Sequence, residues 1–365
     1  MKVVQLSSVH YVFDNRIFNK ITKSLVNNGY DVDLLIQHAK DEVVEGVNII
    51  ALPKVTGKLS RLFKVLPVLV KKVLDYPPET IFHFHDPELI PVGLLLKFFG
   101  YKVIYDVHED VPKDILTKEW IPRLGRYFIS NLIDLIEKSV SKKLDGVVTV
   151  VPSITERFKT ANVVELRNYP SIKSTNGFAK QSENKGFVIY VGSLTERRGI
   201  TEMVDAIDKV KYSEIELLLG GAFIGDGLLQ NLKQRKGWNK VNFLGWIEKE
   251  CLIPTIKGGI AGLLTLREIP SHIDSLPVKM FEYMFAGIPV IASDFKFWET
   301  FVLDNNCGLL VDPSNPQEIA DAIEWIYENP AEAKKMGMNG KKAVIQKYNW
   351  SSQENKLLTL YKSLT

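Results

Sequence analysis

The stretch Ser275-Leu276-Pro277-Val278-Lys279-Met280-Phe281-Glu282-Tyr283-Met284-Phe285-Ala286-Gly287-Ile288-Pro289-Val290-Ile291-Ala292 reads as a helix that runs into a strand. Ser275 and Pro277 are expected to open the helix, a side-chain oxygen capping it and proline being tolerated in its first turn. Gly287 closes it ahead of a β-branched run. Free backbone amides at such a start favour an anionic group such as a diphosphate. Glu282 falls in the second turn, roughly 10 Å along the axis from the cap at about 1.5 Å per residue, a spacing that suits a phosphate at one end and a sugar hydroxyl at the other. A surface acid on an amphipathic helix is the alternative. The apolar residues on both sides of Glu282 favour the site.

The same helix-then-strand grammar runs along the whole chain. In the first half, Lys2 to Leu6, Asp31 to Ile36, Thr80 to Phe84, Lys102 to Tyr105 and Gly146 to Val150 read as strands, with a helical pattern from Asn15 to Asn28 carrying Ile17, Ile21, Leu25 and Val26 on one face. In the second half the strands are Phe187 to Val191, Ile215 to Leu219, Val241 to Leu244, Ile260 to Leu264, Pro289 to Ala292 and Gly308 to Val311. Strands separated by helices predict parallel sheets covered on both faces, so the fold class is α/β with two Rossmann-like, doubly wound domains. Ligands of such sheets bind beyond the carboxyl ends of the strands, which places the chemistry in a cleft faced by both domains. Ser171 to Lys185, rich in Ser, Asn, Lys and Gly, reads as the linker. The expected division is 1–170, linker 171–185, second domain 186–347 and a C-terminal segment 348–365.

With 365 residues, 45% of them apolar, the chain has material for two cores. A formal net charge of +3 gives no whole-molecule case for nucleic-acid binding. Cys251 and Cys307 are too few for a disulfide framework, are expected to be core thiols, and point to a reducing compartment. No secretory signal or membrane span is evident, so a cytoplasmic protein is expected, with membrane contact left open.

Further candidates lie at strand ends. Tyr190-Val191-Gly192-Ser193-Leu194-Thr195-Glu196-Arg197-Arg198-Gly199 is a strand, a turn and a helix start, and the guanidiniums of Arg197 and Arg198 suit phosphate oxygens. A solvated basic turn is the alternative. Gly220-Gly221 follows the next strand, where glycine permits close backbone approach. In the first domain His83 and His85, with Asp86, and His108, with Asp106, follow apolar strands; metal binding is one reading of such a set.

The Ser275 to Ala292 stretch and the Tyr190 to Gly199 turn resemble the signature regions of family 4 glycosyltransferases, and the resemblance extends over essentially the whole chain. It implies the GT-B fold, a nucleoside diphosphate sugar as donor and retention of anomeric configuration, with no metal or other cofactor. Two glutamates separated by seven residues frame the family's loop and helix. Glu282 matches the second, the ribose ligand; the first, near the donor sugar, is Asp274 here, one methylene shorter. Glu268 is a nearby spare acid. The family's diphosphate clamp places an Arg after the first glycine of the turn and a Lys before the second; here these are Ser193 and Arg198, after Gly192 and before Gly199. Gly221 stands where the donor approaches the backbone, and amides near Ser275 and Leu276 would join Arg198 in stabilising the leaving diphosphate. His108 matches a cleft histidine facing the donor sugar. The first loop, His10 to Arg16, lacks the pair of glycines many relatives carry. Asp14, Arg16 and His85 are candidate acceptor or phosphate contacts, an ordinary capped helix start being the equal alternative for the first two. The C-terminal helix is implied to cross back to the first domain.

The resemblance thus implies a hexosyltransferase acting on a UDP-sugar ahead of a GDP-sugar, with a surface glycan or lipid-linked acceptor. Two basic amphipathic segments, Lys58 to Lys72 and Arg123 to Ile129, suit peripheral contact with anionic lipid, although helices packed on a sheet with lysines in water read the same way. The rivals are a non-catalytic nucleotide-sugar-binding subunit and a nicotinamide-dependent oxidoreductase. Against the latter, the first strand is not followed by Gly-x-Gly-x-x-Gly.

Overall fold

The computed structural model describes residues 1–118, 120–159, 162–172, 186–225 and 227–365. Of the expected linker, residues 173–185 lie outside the described residues. The chain divides into two compact units, Met1–Asn168 with Trp350–Thr365, and Tyr169–Asn349.

The first unit holds β1 (Lys2–Leu6), β2 (Asp31–Gln37), β3 (Glu42–Val44), β4 (Val47–Leu52), β5 (Ile81–Phe84), β6 (Lys102–Val107), β7 (Gly146–Thr149) and β8 (Val163–Glu165). They form one sheet in the order β3-β4-β2-β1-β5-β6-β7-β8, parallel except for β3 against β4. The central strands are buried along most of their length, the condition that makes them read as unbroken apolar runs. The segment Asn15 to Asn28, expected as one regular helix, starts as wide turns over Ile17–Thr22 and becomes α-helical only at Lys23–Asn27. Its buried face is nonetheless the expected one, Ile17, Ile21 and Leu25 being fully buried.

The final helix, Ser351–Lys362, completes this unit's core. Leu357, Leu360 and Tyr361 pack with Val3, Ile81, Ile104 and Val148 of the sheet, and Trp350 Nε1 donates to Ser24 Oγ at 2.8 Å.

The second unit holds β9 (Phe187–Val191), β10 (Glu216–Gly220), β11 (Val241–Gly245), β12 (Ala261–Leu264), β13 (Val290–Ser293) and β14 (Gly308–Val311). All pair in parallel, in the order β11-β10-β9-β12-β13-β14. Helices bury one core against each sheet face. Cys307 is buried here, its thiol pushed up to about 12 by burial. Cys251 is exposed, contrary to the expectation of two core thiols, because it sits on the outer face of the helix Lys249–Lys257.

Candidate functional site

In the second unit, the helix Val278–Ala286 is pinned to the sheet by its apolar face. Tyr283 is the anchor: its ring occupies the space beside Gly262 of β12, where a Cβ would come within 2.3 Å of it, and its hydroxyl accepts from the Val191 amide at 3.1 Å. Met280, Phe281 and Met284 are fully buried alongside. These contacts place Glu282, the next residue round, at the border of the core with 14% of its side chain exposed, where its Oε2 accepts from Lys279 Nζ at 2.8 Å.

The start of this helix differs from the sequence expectation. Pro277 occupies the cap position and no side chain caps the helix. Ser275 is committed elsewhere: its Oγ and its amide both donate to the His272 carbonyl, at 2.8 and 2.9 Å, and its own carbonyl accepts from Trp298 Nε1 at 2.7 Å. The Ser275 amide is therefore not offered to an anion. Leu276 packs its side chain against the core. Asp274 ends the short turn Pro270–Ile273, and Glu268 is exposed before it.

The turn after β9 lies close to these residues. Glu196–Arg198 form a single 3-10 turn closed by Gly199, whose φ of +74° brings it against the Thr265 carbonyl beyond β12; a Cβ there would sit 1.9 Å from that oxygen. The Arg267 amide donates to the Arg197 carbonyl at 3.1 Å, tying the same two loops together. His272 lies within electrostatic range of Arg198 and Arg197, and its imidazole is lowered chiefly by burial and further by those guanidiniums, against the hydrogen bond of its Nδ1 to the Arg267 carbonyl. Sequence reasoning did not single out His272, because its neighbourhood with both arginines exists only in three dimensions.

Gly221, expected where a donor approaches the backbone, is closely packed on a neighbouring loop. At φ +135° its missing Cβ would fall 1.8 Å from the Gly192 carbonyl, so the loops after β9 and β10 close on each other only because it is glycine. Gly221→Ala is expected to destabilise this unit by about 1–3 kcal/mol, the usual range for overpacking, with a lowered calorimetric midpoint; an unchanged midpoint would show that the loops separate freely. Gly192, Arg197, Arg198, Gly221, Lys279 and Glu282 thus gather at the carboxyl ends of β9, β10 and β12, where an open parallel sheet presents its ligand site.

The first unit builds a second cluster, mostly buried. Gln5, His83 and Asp106 stand on the adjacent central strands β1, β5 and β6. Arg16 reaches Asp106 with two nitrogens, Nε to Oδ2 at 3.0 Å and Nη2 to Oδ1 at 2.8 Å, and gives Nη1 to the Leu166 carbonyl at 2.8 Å. Of its two expected readings, ligand contact or part of an ordinary helix start, the structure favours the second: Arg16 is 4% exposed and its guanidinium is spent inside the unit. Asp14 likewise serves the backbone, its Oδ1 accepting from the amides of Arg16 and Ile17, which is the capped-start alternative.

His85 is also interior. Its Nδ1 lies 2.9 Å from His108 Nε2 and its Nε2 lies 2.7 Å from Gln5 Oε1, so both ring nitrogens have partners inside the unit. Burial pushes its imidazole down to about 4 and holds His83 well below its usual value. For Asp106 burial acts in the opposite sense, yet Arg16 and then His108 outweigh it and keep the carboxyl well below the normal range. His108 is the member that reaches the surface, with 12% exposure and Nε2 at 2.9 Å from Asp106 Oδ2.

His83, His85 and Asp106 offer ligand atoms within 4.8 Å of one another, the spacing of a metal site. The Arg16 guanidinium already holds both Asp106 oxygens, however, and a cation there would meet a fixed positive charge. The chemistry of this set fits a hydrogen-bonded core better than a divalent ion.

Residues 173–343 match the family model described as glycosyl transferases group 1. The match falls within the second unit and takes in just under half of the chain. The residues gathered at the ends of β9, β10 and β12 all lie in the matched stretch. Among sequence relatives, phosphatidyl-myo-inositol mannosyltransferase of Mycobacterium tuberculosis is 23% identical over 317 residues, which cover 81% of this chain and 76% of that protein. D-rhamnosyltransferase WbpZ of Pseudomonas aeruginosa is 23% identical over 230 residues, 57% of this chain; the chain spans only 57% of that relative's length. Among solved structures, HepE of Anabaena, in complex with UDP, matches with a TM-score of 0.75 at 14% identity over 100% of both chains. At that identity the likeness speaks for the fold, the GT-B architecture of two parallel-sheet α/β domains.

Proposed function

We propose that the protein is a retaining family 4 glycosyltransferase that moves a hexosyl group from a nucleoside diphosphate sugar, a UDP-sugar ahead of a GDP-sugar, to a hydroxyl of a surface glycan or lipid-linked acceptor. The observation that carries the reading is the convergence of Arg198, Arg197, Gly192 and Glu282, with Gly221 packed on Gly192, at the strand ends of the unit that carries the group 1 glycosyltransferase match. A relative named as a phosphatidyl-myo-inositol mannosyltransferase and a structural neighbour holding UDP support the donor and acceptor classes.

On this reading the acceptor oxygen bonds to the anomeric carbon as its bond to the diphosphate oxygen breaks, and the acceptor proton passes to the departing diphosphate. Attack on the face the leaving group vacates accounts for retention without a protein nucleophile, so the two-carboxylate scheme of glycosidases does not apply to Asp274 and Glu282. The arginines stabilise charge that grows on the diphosphate, Glu282 holds the ribose, and His108 is assigned to the donor sugar. No metal or other cofactor is needed, since guanidiniums do the neutralising.

We place the enzyme in the cytoplasm at the inner membrane face. The helix Arg123–Ser141 supports this: it turns Ser130 and Glu137 inward, while Leu124, Phe128 and Leu135 stand 86%, 70% and 63% exposed beside Arg123 and Arg126. An apolar stripe flanked by cations suits an anionic lipid surface. Among the described residues no helix is long and apolar enough to cross a membrane.

The test is release of nucleoside diphosphate from UDP-, GDP- and ADP-sugars, with and without acceptor, run beside sedimentation with anionic vesicles. Binding without turnover on any acceptor tried would favour the second reading, a nucleotide-sugar-binding subunit, which the substituted positions Asp274 and Ser193 keep in play.

A further inference from the structure

We propose that Lys279 is a diphosphate ligand of the donor site, supplying from the helix side a cation that the turn after β9 lacks at Ser193. The inference rests on the donor reading above and adds to it a residue that no sequence match marked.

Lys279 is the second residue of the helix Val278–Ala286 and 29% of its side chain is exposed. Its Cε lies 3.6 Å from the point where a Cβ on Gly192 would stand, and Tyr190 Oη lies 3.1 Å from the same point. The Lys279 stem therefore runs over Gly192, whose own amide donates to the Gly220 carbonyl at 2.9 Å. Arg198 approaches from the turn, near enough to Tyr190 to act on its hydroxyl electrostatically. Ser193 brings no charge, and its carbonyl is occupied as acceptor of the Tyr190 hydroxyl at 3.2 Å. Two cations from separate elements thus flank the Gly192–Ser193 turn, an arrangement that suits a group carrying two adjacent phosphates.

The bond from Lys279 Nζ to Glu282 Oε2, 2.8 Å, is compatible with this role. An ammonium has three donors, so one can stay on the carboxylate while the others meet phosphate oxygens. Glu282 is then held in place by the same residue that binds the neighbouring phosphate, and the ribose and diphosphate contacts form together.

A purely structural lysine would act only by orienting Glu282, and the two roles separate by ligand. Titration calorimetry of the full chain with UDP and uridine, and with GDP and guanosine, is run on wild type, Lys279→Ala, Lys279→Met, and Lys279→Ala with Ser193→Arg. The expected result is a loss of about 10- to 100-fold in affinity for the diphosphate in both single variants, the size of one charge-assisted hydrogen bond. Nucleoside affinity should stay within about twofold, and Ser193→Arg should recover part of the diphosphate affinity by restoring a cation beside Gly192. A parallel loss for nucleoside and diphosphate, or unchanged diphosphate affinity, overturns the proposal and leaves the donor reading standing. A wild type that binds neither diphosphate overturns both.

Discussion

Glu282→Ala is expected to cut sugar transfer by a factor of about 100 or more while leaving the fold in place. A carboxylate that accepts two ribose hydroxyls makes two charge-assisted hydrogen bonds, each worth about 1.5–3 kcal/mol, so the pair corresponds to roughly two to four orders of magnitude. The fold should survive because the helix Val278–Ala286 is held by Met280, Phe281, Tyr283 and Met284, none of which the change touches. The substitution also strips Lys279 of its carboxylate partner, which should raise KM for the donor further. Glu282→Gln keeps an acceptor oxygen without the charge and should fall between wild type and Ala. Arg198→Ala should lose comparably, but mainly in kcat, because charge on the leaving diphosphate grows as the bond breaks. The measurement is steady-state nucleoside diphosphate release against donor concentration, with a melting curve for each variant. Wild-type kinetics in Glu282→Ala would remove the residue from the donor site.

The parts of this site that could be read from sequence are those carried by local pattern. The helix Val278–Ala286 and the strands around it are legible because burial on both faces leaves unbroken apolar runs, and Gly287, at φ +84°, ends the helix where a glycine is cheapest. The cap was misread because Ser275 has two competing uses for its hydroxyl, and the turn Pro270–Ile273 wins it through the His272 carbonyl. The edge strands Glu42–Val44 and Val163–Glu165 are three residues each, too short to show a period. Arg16 and His85 are candidate ligand contacts in sequence because an Arg or His at a strand-end loop looks available. Asp106, 90 residues beyond Arg16, claims the guanidinium, and Gln5 and His108 claim the imidazole. Lys279 shows the converse: as sequence it is one of many helical lysines, and only its passage over Gly192 gives it a role.

The buried cluster of the first unit should make that unit sensitive to mild acid. His85 is interior and its imidazole is pushed from 6.5 down to about 4, mainly by burial. In the unfolded chain it binds a proton as pH falls through about 6.5, whereas in the folded unit it stays neutral until about 4. The unfolded state thus holds more protons across that window, and stability falls as pH is lowered through it, by roughly 3 kcal/mol for His85 alone at about 1.4 kcal/mol per pH unit. His83, held lower still, adds in the same direction. Asp106 does not contribute here: its carboxyl is depressed well below 3.8, so its stabilisation is complete above its unfolded value and is lost only as pH falls toward the depressed one. The readout has to be local, because a chain of two units need not unfold in one step. Amide hydrogen exchange over Ile81–Phe84 and Lys102–Val107 should lose protection steadily between pH 6.5 and 4.5, after correction for the intrinsic exchange rate. The β9 to β12 strands carry no histidine themselves, and the one buried histidine of their unit among the described residues, His272, lies in the turn beyond β12, so these strands should change less. His85→Gln, weaker at pH 7.5 because it breaks the link to His108, should show a shallower pH slope. A first unit equally protected at pH 7 and pH 5 would mean that the histidines take up protons without opening it, and that the strand ladders and the apolar core hold it closed.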